Sequence, residues 1–200
     1  MKKKKQEAPV IPEKFEIIGA DLSLNRPGFC VLTVLDGKIS DFSLCSVDNK
    51  KNAGKKPRGA ILKEIGSAFV ELLKGDACQK HPVFLVREAS VNNSTFGRRS
   101  GTAARTGISE VVGVMDLMAY TSGLKPLEWD EIYPVSIKKA VAGSGKAQKE
   151  EVASAVKEYL PEAEFKNDDE SDAAAVALAW LLKNKIIEPL PGSAARESAA

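Results

Sequence analysis

Apolar residues fall into short runs in the first third of this chain and into helical spacing farther on, and the change of period marks out the elements. From Phe15, the segment FEIIGADLS is a nearly continuous apolar run that stops at a carboxylate, Asp21, as a buried strand would. GFCVLTVLDGKISDFSLCSV reads as two further strands folded about Asp36-Gly37, a pair suited to a tight hairpin turn, so the chain opens as a three-strand meander. The Gly- and Lys-rich stretch from Asp48 to Gly59 is a loop. ILKEIGSAFVELLKG then carries apolar residues at helical spacing and stops at Gly75.

HPVFLVREAS is a short apolar run with Glu88 at its C-terminal end, the pattern of an interior strand. A polar loop, NNSTFGRRSG, leads into TGISEVVGVMDLMAYTSG, a long helix closed by Gly123. A further strand is expected near LKPLEWDEIY. Pro134 suits the first turn of a helix over PVSIKKAVAG ending at Gly143, SGKAQKEEVASAVKEYL gives another, and DDESDAAAVALAWLLKNK begins with acids and continues as an Ala- and Leu-rich helix. This order predicts an α/β domain over residues 15–188 with a mixed sheet flanked by helices, a basic N-terminal tail over 1–14 and a C-terminal tail over 189–200.

With 200 residues and 44% apolar content, the chain can bury one sizeable core. No apolar run reaches the roughly 18 residues of a membrane span, and MKKKKQEAPVIPEK lacks the apolar stretch of a secretory signal, so a soluble, cytoplasmic protein is expected. Cys30, Cys45 and Cys78 are far apart and lack zinc-site spacing, which favours reduced, structural thiols. His81, the lone histidine, is expected to be structural.

The net charge of +2 conceals clusters: MKKKK; Lys50, Lys51, Lys55, Lys56 and Arg58; Arg98, Arg99 and Arg105; and Lys138, Lys139, Lys146 and Lys149. Each is equally compatible with phosphate binding and with a solvated loop.

The candidate chemistry lies in the acids. If the strands ending at Asp21 and Glu88 are neighbours, both carboxylates emerge at one sheet edge. Asp169 and Asp172, three apart on the last helix, share a face, and Ala173, Ala174 and Ala175 allow that helix to approach closely. Four hard oxygen donors need cations, and Mg²⁺ or Mn²⁺ suits them; two such ions about 3.5–4 Å apart can bracket an in-line phosphoryl displacement. Each acid also has a plainer reading: Asp21 as a turn former, Glu88 as a surface residue, Asp168, Asp169 and Glu170 as helix capping.

In sequence order, GADLSLNRPGFCVL, VFLVREAS, PVSIKKAVAGSGKAQKEEV and DDESDAAAVALAW resemble the motifs of the RuvC-type Holliday junction resolvases, from about Glu16 to Trp180. The resemblance, to a divergent or phage-like member, implies a ribonuclease H-like fold and a homodimer that nicks branched, four-way DNA symmetrically, and leaves recombination, repair and the debranching of concatemeric viral DNA all open as its setting. It implies that Asp21, Glu88, Asp169 and Asp172 hold two Mg²⁺ or Mn²⁺ ions and that no small-molecule cofactor or membrane is needed. It places Lys138 and Lys149 near the scissile phosphate, and Lys139, Lys146, Arg98 and Arg99 on DNA. Phe96 falls where a wedge would unstack bases, although a loop anchor explains it as well.

The chain departs from the family pattern at Ser23, where a glycine is usual, and in carrying Asn25-Arg26-Pro27 before Gly28, which implies a longer first turn. The apolar helix from Gly107 to Tyr120, with Ile108, Val111, Val112, Val114, Met115, Leu117 and Met118, is the candidate dimer contact, or simply covers the sheet. Rival readings are a ribonuclease H-like nuclease acting on forks or RNA-containing hybrids, a branched-DNA binding module without catalysis, and an actin- or Hsp70-like ATPase. The last needs a second phosphate-loop domain for which 200 residues leave no room.

Overall fold

The structure is a computed structural model that describes residues 11–50, 55–89, 102–123 and 129–190. A five-stranded sheet of order β3-β2-β1-β4-β5 forms its centre. β1 (Lys14–Asp21), β2 (Gly28–Leu35) and β3 (Lys38–Ser46) make the antiparallel meander, turned at Asp36 (φ 50) and Gly37 (φ 71), two left-handed residues as a tight hairpin requires. β4 (Val83–Glu88) then runs parallel to β1, and β5 (Trp129–Ile132) parallel to β4.

The twofold period of β1 explains the two cores. Phe15 and Ile17 face one layer with Cys30, Leu32, Val34 and Val86, under α4 (Pro134–Ala142), α5 (Lys149–Tyr159) and α6 (Asp168–Lys183). Ile18 and Ala20 face the other with Phe29, Val31 and Leu85, under α1 (Arg58–Leu73) and α3 (Thr102–Thr121). Gly19 lies on the first face, where an added Cβ would come within 2.3 Å of the Ala173 carbonyl oxygen. Gly19 and the alanine run therefore let α6 lie directly on the sheet.

The expected elements are present, but α1 begins at Arg58 inside the expected loop, α3 begins at Thr102 rather than Thr106, and three further differences stand out. α2 (Asp76–Lys80) was not expected; it is a single turn after Gly75 that buries Cys78. α5 starts at Lys149, not Ser144, because Gln148 caps it in a reciprocal box with Glu151. Ordered chain also begins before Phe15: Ile11 packs against the α6-side core and the Glu13 carbonyl accepts the Asp36 N–H at 3.0 Å. The remainder of the expected tails, residues 1–10 and 191–200, lies outside the described residues. Pro134 opens α4 and Gly143 (φ 77) closes it, as expected.

All three cysteines are free thiols. His81 is structural: its Nδ1 meets Oε1 of the fully buried Glu16 at 2.8 Å, and the Thr33 hydroxyl donates to Oε2 of the same carboxylate at 2.7 Å. Among the described residues no helix is long and apolar enough to cross a membrane.

Candidate active site

Ala20 pairs with Arg87 across the parallel β1–β4 ladder, so Asp21 and Glu88 are the next residues along at the C-terminal edge of the sheet. By the twofold period, Asp21 shares the face of Ile17, and Glu88 that of Val86; both therefore emerge on the α6 side. The first turn of α6 closes over that edge. Its N-cap is Asn167, whose side chain accepts the Glu170 N–H at 3.2 Å, so capping is not what Asp169 provides.

Glu170 is the anchor of this turn. Only 1% exposed, it accepts the Ser46 hydroxyl at 2.8 Å and the Lys166 N–H at 2.9 Å, while Asn167 Nδ2 donates to Ser46 Oγ at 2.9 Å. This network fixes the start of α6 to the end of β3 and turns Asp169 and Asp172 towards Asp21. Glu170→Ala should cost about 1–3 kcal/mol, read as a lowered midpoint in a denaturant melt, because two part-buried donors, the Ser46 hydroxyl and the Lys166 N–H, lose their acceptor.

The electrostatics mark the cluster. The Asp21 carboxyl is pushed up from 3.8 to about 7, first by burial and then by the charges of Glu88, Asp172 and Asp169, with Lys149 opposing. Glu88 is raised by partial dehydration and by Asp172, against the lowering charge of Lys138. Asp172 is raised by burial, while the Lys149 hydrogen bond and charge hold it down and Asp168 and Asp169 push it up. Partial burial works to lower the Lys149 pKa, but hydrogen bonds and charges from Asp172 and Asp168 outweigh it and leave it raised.

These shifts have a consequence for stability. Between pH 3.8 and about 7 the folded protein holds a proton on Asp21 that the unfolded chain has released, so stability present at low pH is lost as pH rises through about 7. Asp21→Asn should therefore stabilise EDTA-treated protein, and the gain in unfolding free energy at pH 8 should exceed that at pH 5 by on the order of 1–3 kcal/mol. Equal gains at both pH values would remove the basis for this.

Cationic side chains engage two of the four candidate acids, Asp172 and Asp169, and the neighbouring Asp168. Lys149 Nζ lies 3.0 Å from Asp172 and 3.4 Å from Asp168, and Arg26 Nη1 lies 3.3 Å from Asp169. Among the described residues, no three acidic, histidine or cysteine groups stand as an assembled metal clasp. The donor set nevertheless fits a hard divalent cation: it is all carboxylate oxygen, and the dehydrated Asp21 is surrounded by like charge that a cation would relieve.

Of the lysines, Lys138 donates to the Ala147 carbonyl at 2.8 Å on the α4–α5 turn, beside Glu88. Lys139 and Lys146 are exposed on the same segment. Lys56, just before α1, and Arg58, its first residue, are paired with Glu64 and Glu110. Phe96, Arg98 and Arg99 lie outside the described residues. On α3, Val111, Met115 and Ala119 are buried against the sheet layer, whereas Leu117 and Tyr120 are exposed, at 54% and 78%.

Sequence reasoning missed Arg26, Glu170, Ser46 and the tight approach at Gly28. An added Cβ at Gly28 would stand 2.0 Å from the Asp169 carbonyl oxygen. The available signal for Glu170 was its place three residues after Asn167, masked by the neighbouring acids.

The family model described as Crossover junction endodeoxyribonuclease RuvC matches residues 17–180. The chain is 31% identical over 169 residues to the RuvC of Synechococcus sp. strain CC9605, covering 82% of this chain and 97% of that protein. It is 28% identical over 162 residues to the RuvC of Sinorhizobium fredii, covering 81% and 86%. Among solved structures it is similar to T. thermophilus RuvC in complex with a Holliday junction substrate, with TM-score 0.66, 21% identity, and 86% and 96% of the two chains covered. It is also similar to the yeast mitochondrial Holliday junction resolvase Ydc2, with TM-score 0.56, 15% identity, and 90% and 82% covered.

Proposed function

The chain belongs to the family of the crossover junction endodeoxyribonuclease RuvC, and from that premise we propose that Asp21, Glu88, Asp169 and Asp172 form the metal site at which it cuts branched DNA. It is a junction-resolving endonuclease. The observation that carries the site assignment is the convergence of four acids from β1, β4 and α6 on one sheet edge, with Asp21 dehydrated among the others.

The reaction is hydrolysis of a phosphodiester: water attacks phosphorus in line, the P–O3′ bond breaks, and a 5′-phosphate and a 3′-hydroxyl remain. Two Mg²⁺ or Mn²⁺ ions, when bound, supply Lewis-acid activation of the water and stabilise the leaving oxygen. The chain's own residues do the rest. Asp21 and Glu88, on adjacent strands of a rigid sheet, set the position of the phosphate, and Asp169 and Asp172 close the site from α6. Lys138, beside Glu88, neutralises charge developing on the phosphate. Lys149 holds Asp172 in register and exchanges that ion pair for the substrate. Lys139 and Lys146 extend the cationic surface along the DNA backbone, and Arg98, Arg99 and Phe96, in the chain between β4 and α3, contact the junction.

Two such sites are needed for paired nicks. The exposed Leu117 and Tyr120 on α3 belong to the surface that joins two copies of the chain into a dimer. A substrate panel tests the reading: with Mg²⁺, a synthetic four-way junction should be nicked in symmetric pairs, and a replication fork, an RNA–DNA hybrid and a linear duplex should be cut far more slowly. Equal cutting of the linear duplex would sink it, and preference for the fork or the hybrid would move the substrate assignment there.

A further inference from the structure

Arg26 lies on the turn between β1 and β2, and its position is built. The Arg26 N–H donates to Ser23 Oγ at 3.0 Å. The flanking carbonyls of Asn25 and Pro27 accept the N–H groups of Asn49 and Val47 at 2.8 and 3.1 Å. The turn thus holds the guanidinium against the first turn of α6, where Nη1 stands 3.3 Å from Asp169 Oδ2. Both side chains are largely covered, at 22% and 23% exposure.

That contact is single and long. A charge-assisted N–H···O bond is normally about 2.7–2.9 Å, and a guanidinium meets a carboxylate best through two parallel bonds. Here Nε is buried and has no partner among the described residues. Asp169 is also one of the acids that raise Asp21, so it belongs electrostatically to the cluster. A divalent ion ligated by Asp169 would repel a guanidinium on the same carboxylate. Arg26 must then give it up, and its planar fork of donors suits a phosphate at that edge.

We propose that Arg26 is a guanidinium switch: it neutralises Asp169 while the acidic site holds no divalent cation, and passes to a phosphate of the substrate DNA when a cation takes that carboxylate. This rests on the reading of Asp169 as a metal ligand. A merely structural arginine would give a different result, because its loss would loosen Asp169 and weaken metal binding.

The test uses the full chain. Calorimetric titration of Mn²⁺ without DNA compares the wild type with Arg26→Ala, Arg26→Lys and Asp169→Asn, and four-way junction binding is followed over a salt series in Ca²⁺. Arg26→Ala should bind Mn²⁺ about 2–5-fold more tightly. Its junction affinity should fall, with a salt slope smaller by about one. Arg26→Lys should stay near the wild type in both, which separates lost charge from lost fold. Mn²⁺ binding equal to or weaker than the wild type in Arg26→Ala, or an unchanged salt slope, overturns the switch. If Asp169→Asn binds Mn²⁺ like the wild type, the ligand reading fails and the switch with it. If Asp169→Asn weakens binding and Arg26→Ala does not tighten it, the switch alone fails.

Discussion

Asp21→Asn should lower the rate of four-way junction cleavage by about 10³-fold or more, a loss on the order of 4 kcal/mol of transition-state stabilisation. The substitution keeps size and shape but removes the charge at the centre of the cluster. Asp21 is the acid whose ionisation is opposed by the other three, so it gains most from a bound cation. Junction binding in Ca²⁺ should persist, since affinity for DNA comes mainly from phosphate contacts by cationic groups. A single-turnover rate under saturating protein, beside a binding curve for the same junction, checks both parts. A variant that cuts within tenfold of the wild type would remove Asp21 from the reaction.

Gly28→Ala should be nearly as damaging, though Gly28 carries no chemistry. The Cβ it would add stands 2.0 Å from the Asp169 carbonyl oxygen and 2.4 Å from its carbonyl carbon, both backbone atoms that cannot rotate away. Either β2 or the first turn of α6 must shift. Overpacking of this kind costs about 1–3 kcal/mol, and a displacement of about 1 Å at a reacting centre can cost about 10²-fold in rate. Cleavage should therefore fall by about 10²-fold while the protein still melts cooperatively at a lowered temperature. Near-normal cleavage would mean that α6 is less tightly tied to the sheet than its contacts indicate.

The sequence was informative where a local pattern has one physical outcome. The runs ending at Asp21 and Glu88, the Asp36-Gly37 turn, Pro134 before α4 and Gly143 after it all formed as expected. Even the three-residue spacing of Asp169 and Asp172 sufficed to place them together, because helical period fixes it. What the sequence did not reveal are relations between distant segments. Ser46 and Glu170 are 124 residues apart, and no periodicity announces their hydrogen bond. Arg26 stood out only as a departure from a family pattern, and its contact with Asp169 depends on how the turn is braced by Asn49 and Val47. In the acidic run Asp168-Asp169-Glu170, composition alone could not separate one exposed, one site-facing and one buried carboxylate; the rotation of α6 against β3 decides that.

The metal site is tested most directly by anomalous scattering from crystals of the wild-type protein soaked in Mn²⁺. Two peaks about 3.5–4 Å apart are expected, ligated by oxygens of Asp21, Glu88, Asp169 and Asp172, with Arg26 no longer on Asp169. Manganese bound elsewhere on the molecule, or at this edge without Asp21 as a ligand, would contradict the assignment of these four acids as the catalytic centre.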